Sequence, residues 1–332
     1  MASLSLLGLV LSWGCRGCGD RAEAPSEGEG ETSAREAGSS ARLGDGGADA
    51  GSSLPEGFEL GPADQSLLEF AGEMDVRNRY AATVMIASKD AMETPRCSGV
   101  LVAPRLVLTA GSCVCSPRKG TAAGASANAF IDASSCMPQV FVTTALTVAV
   151  LDMKLKEDSA ETEFRTYRGV VHPHPGLQVT LDEREAVVSA YADLAVILLD
   201  GPVDDDISMP RLARSEAQVG ESLVMVGYAS EDKRGFGGVY GVRYFRKNPV
   251  TRAVTDGKGG YRQQGPYLWD GYAGGPCFRE EAKGQWLVGI ASRSSGGDLV
   301  FTSTAFFRDW LESELRNASK RAAPPKGAAG KE

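Results

Sequence analysis

Imidazole is the side chain whose proton comes and goes near neutral pH, so histidines mark where acid–base chemistry can occur. This chain of 332 residues has two, His172 and His174, in Val-His-Pro-His-Pro. They could bind a metal or act as a relocated base; set among prolines, they read first as surface residues of a loop. A mechanism needing imidazole elsewhere has none to draw on. The seven cysteines, Cys15, Cys18, Cys97, Cys113, Cys115, Cys136 and Cys277, lack the two Cys-x-x-Cys pairs or nearby histidines of a structural zinc site. Disulfides are the better reading if the chain leaves the cytoplasm. Asp204-Asp205-Asp206 could offer oxygens to calcium but reads as a solvated charge run after Gly201-Pro202. Asp256-Gly257-Lys258-Gly259-Gly260 lacks Gly-x-x-x-x-Gly-Lys-Ser/Thr and a following helix, so it reads as a flexible hairpin or loop. Neither a metal nor a cofactor is expected.

A core able to position functional residues is available, since 42% of residues are hydrophobic and 23% charged. The 35 basic and 43 acidic residues give a net charge of -8, which offers no basic face to a phosphate backbone and argues against a nucleic-acid partner. The apolar run from Leu4 to Trp13 is too short to span a bilayer and sits where an export signal sits. Its end, Leu11-Ser12-Trp13-Gly14-Cys15, resembles a bacterial lipobox. Residues 1–15 are therefore expected to be a signal peptide with Cys15 lipidated, the alternatives being a plain secretory signal or a buried apolar end. Residues 16–62 are rich in Gly, Ser, Ala and Glu and are expected to be a disordered acidic linker. Ten acids and four bases between Arg16 and Leu60 place most of the net charge there. A second solvated stretch, 318–332, closes the chain.

Between these ends the pattern is β-like. Apolar or alternating runs cover Ala82 to Ile86, Gly99 to Thr109, Gln139 to Val150, Ala186 to Leu199, Ser222 to Tyr228 and Gln285 to Ala291, separated by turn residues. One amphipathic helix is expected over 305–317, with Phe306, Trp310, Leu311 and Leu315 at helical spacing. Many strands and one terminal helix predict an all-β barrel or sandwich.

Three segments in order resemble the trypsin-like (chymotrypsin-fold) serine protease family. Cys97-Ser98-Gly99-Val100-Leu101-Val102-Ala103-Pro104, with Leu108-Thr109-Ala110-Gly111-Ser112-Cys113, is similar to the family's strand and Leu-Thr-Ala-Ala-His-Cys motif. Asp193-Leu194-Ala195-Val196-Ile197-Leu198-Leu199 is similar to its Asp-Ile-Ala-Leu-Leu strand, and Gly271-Tyr272-Ala273-Gly274-Gly275-Pro276 stands where it writes Gly-Asp-Ser-Gly-Gly-Pro. Val171-His172-Pro173, Val226-Gly227-Tyr228, Val288-Gly289-Ile290-Ala291-Ser292 and Val300-Phe301-Thr302 fill the gaps, so the resemblance spans about 79 to 317. It implies a domain over 63–317 made of two packed six-stranded antiparallel β-barrels, about 79–203 and 215–304, with a C-terminal α-helix. It also implies a Cys97–Cys113 disulfide. Cys115 and Cys136 are expected to pair because they share one insertion and lack other partners. Cys277 reads as a buried thiol packed as a small hydrophobe rather than a partner of Cys18.

The family's chemistry uses a serine nucleophile, a histidine that takes its proton, and an aspartate that orients the histidine. The resemblance puts Ser112 in the histidine position and Ala273 in the serine position, leaving Asp193 as the one retained triad member. A hydroxyl cannot collect a proton at pH 7 and a methyl cannot attack a carbonyl. Removing the whole triad from such an enzyme costs roughly 10⁶-fold in turnover. Gly271 and Ala273 would be a remnant oxyanion hole, and Ser292 matches the strand serine that holds the aspartate. Tyr272 replaces the aspartate that receives a new N-terminus on activation, and no Ile-Val-Gly-Gly-type site precedes Tyr80. Tyr267 and Trp269 would fill the specificity pocket or line an aromatic recognition site. The expectation is an exported, monomeric, non-catalytic homologue that binds a protein or peptide in the inter-barrel cleft, with membrane contact only through Cys15. The alternatives are an active serine endopeptidase using a non-standard constellation, and a decoy for protease substrates or inhibitors.

Overall fold

Short runs of Val, Leu, Ile and Ala bounded by turn residues become strands because each buries at least one face. The computed structural model describes residues 72–88, 97–119, 129–152, 157–183, 187–203, 207–228, 241–253, 257–266, 270–292 and 298–322. Expectations for Cys15, Cys18, the linker and Asp204 to Asp206 lie outside the described residues. In chain order the elements begin with β1 (Glu73–Met74), β2 (Thr83–Ala87), β3 (Cys97–Ala103), β4 (Leu106–Thr109) and the one-turn helix α1 (Gly111–Val114). They continue with β5 (Arg118–Lys119), β6 (Ala129–Asp132), β7 (Gln139–Asp152), β8 (Glu157–Pro173), β9 (Gln178–Leu181), β10 (Val187–Tyr191) and β11 (Ala195–Leu199). The second half holds β12 (Arg211–Leu212), β13 (Ser222–Tyr228), β14 (Arg243–Ala253), β15 (Gly260–Pro266), β16 (Pro276–Glu281), β17 (Gly284–Ala291), β18 (Asp298–Ser303) and helix α2 (Arg308–Ala322).

Six strands close a first barrel in the order β11-β4-β3-β2-β7-β8. Six more close a second, β14-β13-β16-β17-β18-β15, through the β14–β15 pairing. Closure removes exposed edges and turns alternate side chains inward. The first core holds Val84, Val100, Leu101, Leu106, Leu108 and Ile197, and the second Leu223, Val226, Phe278, Val288, Ile290 and Phe301. The fold is thus all-β, two six-stranded antiparallel barrels with one C-terminal helix.

A four-stranded sheet, β10-β9-β6-β5, has no counterpart in the sequence reading. It arises where one apolar run, Ala186 to Leu199, is broken at Ala192, whose φ of 48° turns the chain. One hydrophobic stretch therefore supplies strands to two sheets. The polar strands β8 and β14 also escape the hydrophobic pattern, because residues 161–166 of β8 are all exposed and β14 is largely exposed or half-buried. Helix α2 begins at Arg308, three residues after the expected start, and runs to Ala322, so Ala318 to Ala322 are helical rather than tail. Phe306 donates its N–H to Ser303 Oγ ahead of the first turn (3.2 Å), and buried Ala318 carries the packed face past residue 317.

The segment before the first barrel is fastened by a buried ion pair. Asp75 accepts from Arg243 Nε (3.0 Å) and from the N–H groups of Arg79 (2.8 Å) and Tyr80 (2.9 Å). The side chains of Arg243 and Asp75 are 3% and 1% exposed. Arg243 also donates to Tyr228 Oη (3.0 Å), Asn78 Oδ1 (2.8 Å) and the carbonyl of Ala145. Asn78 in turn accepts from Thr147 N–H (2.9 Å) and donates to its carbonyl (2.6 Å). One guanidinium thereby joins the entering chain, the β7–β8 ribbon and the second barrel. Removing one partner from a buried pair leaves an uncompensated charge and costs about 3–5 kcal/mol. Asp75→Ala is therefore expected to lower the unfolding free energy by about that amount in urea titration; a loss below about 1 kcal/mol, the range of an exposed pair, would contradict this assignment.

Candidate functional site

Asp193 is placed by the bend that follows β10. Leu194 N–H closes a tight turn onto the Ala192 carbonyl (2.7 Å), and the Leu194 carbonyl accepts from His174 N–H (2.9 Å). The carboxylate points inward and its residue is 1% exposed. Across from it stands α1, clamped at Cys113 by the Cys97–Cys113 disulfide and followed directly by the Cys115–Cys136 disulfide. That clamp aims Ser112 at the carboxylate. Its N–H donates to Asp193 Oδ1 (2.7 Å) and its hydroxyl to Oδ2 (2.9 Å). A buried carboxylate is tolerated only with such donors, and one serine supplies two. Ser112 is itself only 4% exposed.

The second barrel contributes the loop from Gly271 to Gly275. Ser98 in β3 holds it: Ser98 N–H donates to the Ala273 carbonyl (2.8 Å) and Ser98 Oγ to the Gly271 carbonyl (2.6 Å). Ser98 Oγ accepts from Tyr228 N–H (2.9 Å), and its carbonyl accepts from Thr109 Oγ1 (2.8 Å). Gly274 has φ +76°, and a Cβ there would lie 2.2 Å from both the Ser98 carbonyl and Thr109 Oγ1, and 3.1 Å from Cys113 Sγ. Only glycine fits both the left-handed backbone and that approach. Ala273 is buried and presents a methyl group. Tyr272 is fully buried, with the Arg246 guanidinium 5.9 Å from its ring centre.

The Asp193 carboxylate and the Ser112 hydroxyl thus meet in a hydrogen bond, and the loop that carries Ala273 is fastened to the first barrel through Ser98. A hydroxyl donating to a carboxylate is a structural hydrogen bond; it offers no base for proton transfer at neutral pH. Among family models, the trypsin-like peptidase domain matches residues 97–290, a stretch containing Ser112, Asp193 and Ala273. The chain belongs to that family. Comparison with curated proteins gives no match. The disulfides of this trypsin-like domain fit an oxidising, extracytoplasmic compartment.

Other expected site residues fall as follows. Ser292 is buried at the end of β17, its hydroxyl 3.2 Å from Thr302 Oγ1. Tyr267 and Trp269 lie outside the described residues. His172 and His174 are turned toward α2: His172 lines a small cavity with Glu314 and Arg321, and His174 packs on Phe307 and Trp310. They are half-buried rather than surface residues. Cys277 is a buried free thiol, pushed up to about 12 mainly by burial. Sequence reasoning missed Ser98 and Thr109 as site-formers, although both stand inside the Cys97 to Cys113 motif. Their signal was small hydroxyl residues within otherwise apolar strands, where a buried oxygen must find a partner.

Truncating Ser112 tests the pair directly. Ser112→Ala removes the hydroxyl bond to Asp193 Oδ2 but keeps the N–H bond to Oδ1. The unfolding free energy should fall by about 1–3 kcal/mol in urea titration, and an unchanged midpoint would show that the bond carries no stability.

Proposed function

We propose that this trypsin-like domain is a non-catalytic member of its family, exported to the cell envelope, that binds a protein or peptide segment in the cleft between its barrels. The observation that carries the reading is the state of Ser112. It stands against Asp193, where the family resemblance puts the histidine, and both its N–H and its hydroxyl are committed to that carboxylate. Ala273, at the serine position, has no group that can attack a carbonyl. The surrounding frame is retained: the disulfide at Cys97 and Cys113, the bend at Asp193 and the glycine turn at 274 are all in place. A frame kept without its chemistry favours recognition over turnover.

Export is supported by the two disulfides and by the Leu4 to Cys15 segment, with lipid on Cys15 as the anchor. Recognition in the cleft is supported by the aromatic pair Tyr267 and Trp269 in the sequence just before the Gly271 loop, since aromatic residues are efficient binding anchors.

The test is exposure of the mature domain to a fluorophosphonate probe and to casein or peptide libraries. Neither labelling nor cleavage is expected. Robust hydrolysis that persists through purification and is abolished by Asp193→Ala would establish an active endopeptidase with a different constellation.

A further inference from the structure

Both histidines of the chain end on the C-terminal helix, and one of them is built as a proton-sensitive contact. His174 packs edge-on against Trp310 (ring centres 4.8 Å apart, 69° between planes) and against Phe307 (5.1 Å, 72°). Its Nδ1 accepts the N–H of Gly176 (3.0 Å). In the neutral ring the one proton therefore sits on Nε2, and a second proton must enter at Nδ1, facing the Gly176 donor. Protonation thus replaces an acceptor by a donor at a point where only an acceptor fits, while placing a charge among aromatic rings.

This contact lies in series with the site. His174 N–H donates to the Leu194 carbonyl, next in sequence to Asp193, and Tyr191 at the start of the same bend packs on Phe307 (5.8 Å). Between Tyr191 and Asp193 lies Ala192 at φ 48°, a conformation that alanine holds only when its surroundings impose it. We infer that protonation of His174 loosens the first turns of α2 from the first barrel and relaxes the bend that presents Asp193.

The charged groups around the ring leave it as the responsive one. On α2, Arg308 is turned to the carbonyls of Leu212 and Ala213 and to Glu312, and Asp309 is exposed. Glu314 and Arg321 lie farther along the helix, beside His172. In the bend, the Asp193 carboxylate is held by Ser112, and the Tyr191 ring packs on Phe307. Burial holds the His174 imidazole below its ordinary value of 6.5. The folded form therefore binds this proton less readily than the loosened one. Docking is at full strength above about pH 6.5 and weakens as pH falls through the depressed folded value.

Hydrogen exchange along α2 at pH 7 and pH 5, corrected for intrinsic rates, tests this on the full chain. In the wild type, protection of the Trp310 to Leu315 amides should fall at pH 5, by about tenfold for each pH unit of depression. His174→Phe keeps a ring in the gap without a titrating group and should abolish the pH dependence, whereas His172→Gln should retain it. Equal protection at both pH values in the wild type, or the same fall in His174→Phe, would overturn the inference. If His174→Phe does not fold, the wild-type ring can be titrated by NMR, and a midpoint at or above 6.5 would overturn it equally.

Discussion

Ser98 is the residue on which the meeting of the two barrels depends. It is completely buried, so its N–H, its carbonyl and its hydroxyl all need partners inside the protein. Three of the four it finds, the Gly271 and Ala273 carbonyls and the Tyr228 N–H, belong to the second barrel. The fourth, Thr109, belongs to β4 next to α1. A loop and two barrels are thereby fixed by the need to satisfy one small side chain and its peptide groups. The same crowding explains the glycines: a Cβ at Gly275 would lie 2.3 Å from the Val226 carbonyl, as one at Gly274 would strike Ser98 itself. The Gly-Gly of the motif is a packing requirement and holds whether or not the neighbouring side chain is catalytic.

This separates two kinds of constraint in the trypsin-like frame. Residues whose loss would leave a buried polar group stranded, or a backbone in a forbidden region, are tied to the fold. Asp193, Ser98, Thr109, Gly274 and the Asp75–Arg243 pair are of this kind. Position 273 is different, because its side chain forms none of these contacts and a methyl group needs no hydrogen-bond partner. Ser112 lies between the two cases: it fits beside Asp193 because a hydroxyl and an N–H on one residue can together serve both oxygens of the carboxylate.

What was legible in the sequence follows the same division. The Cys97 to Cys113, Asp193 to Leu199 and Gly271 to Pro276 segments could be read because their residue types are demanded locally by a disulfide, a buried apolar strand and a left-handed turn. The barrels and the terminal helix followed from them. Strands β8 and β14 were illegible because partner strands, rather than their own alternation, make them strands: β8 pairs along its whole outer length with β7. The break at Ala192 was hidden inside an apolar run, since alanine carries no turn signal, and with it the four-stranded sheet. The Asp75–Arg243 bond joins residues 168 positions apart, and no local pattern announces such a pair. The histidines were read as loop residues because Pro-rich spacing says nothing about a helix that packs on them from the far end of the chain.

The reading proposed for this domain is that a trypsin-like frame is kept while its proton-transfer and nucleophilic groups, at positions 112 and 273, are replaced. Reinstalling them in the Ser112→His, Ala273→Ser double variant, and measuring fluorophosphonate labelling against each single variant, tests it most directly. Labelling is expected in the double variant alone, with Asp193 orienting the new imidazole. A double variant that melts like the wild type yet remains unlabelled would contradict it.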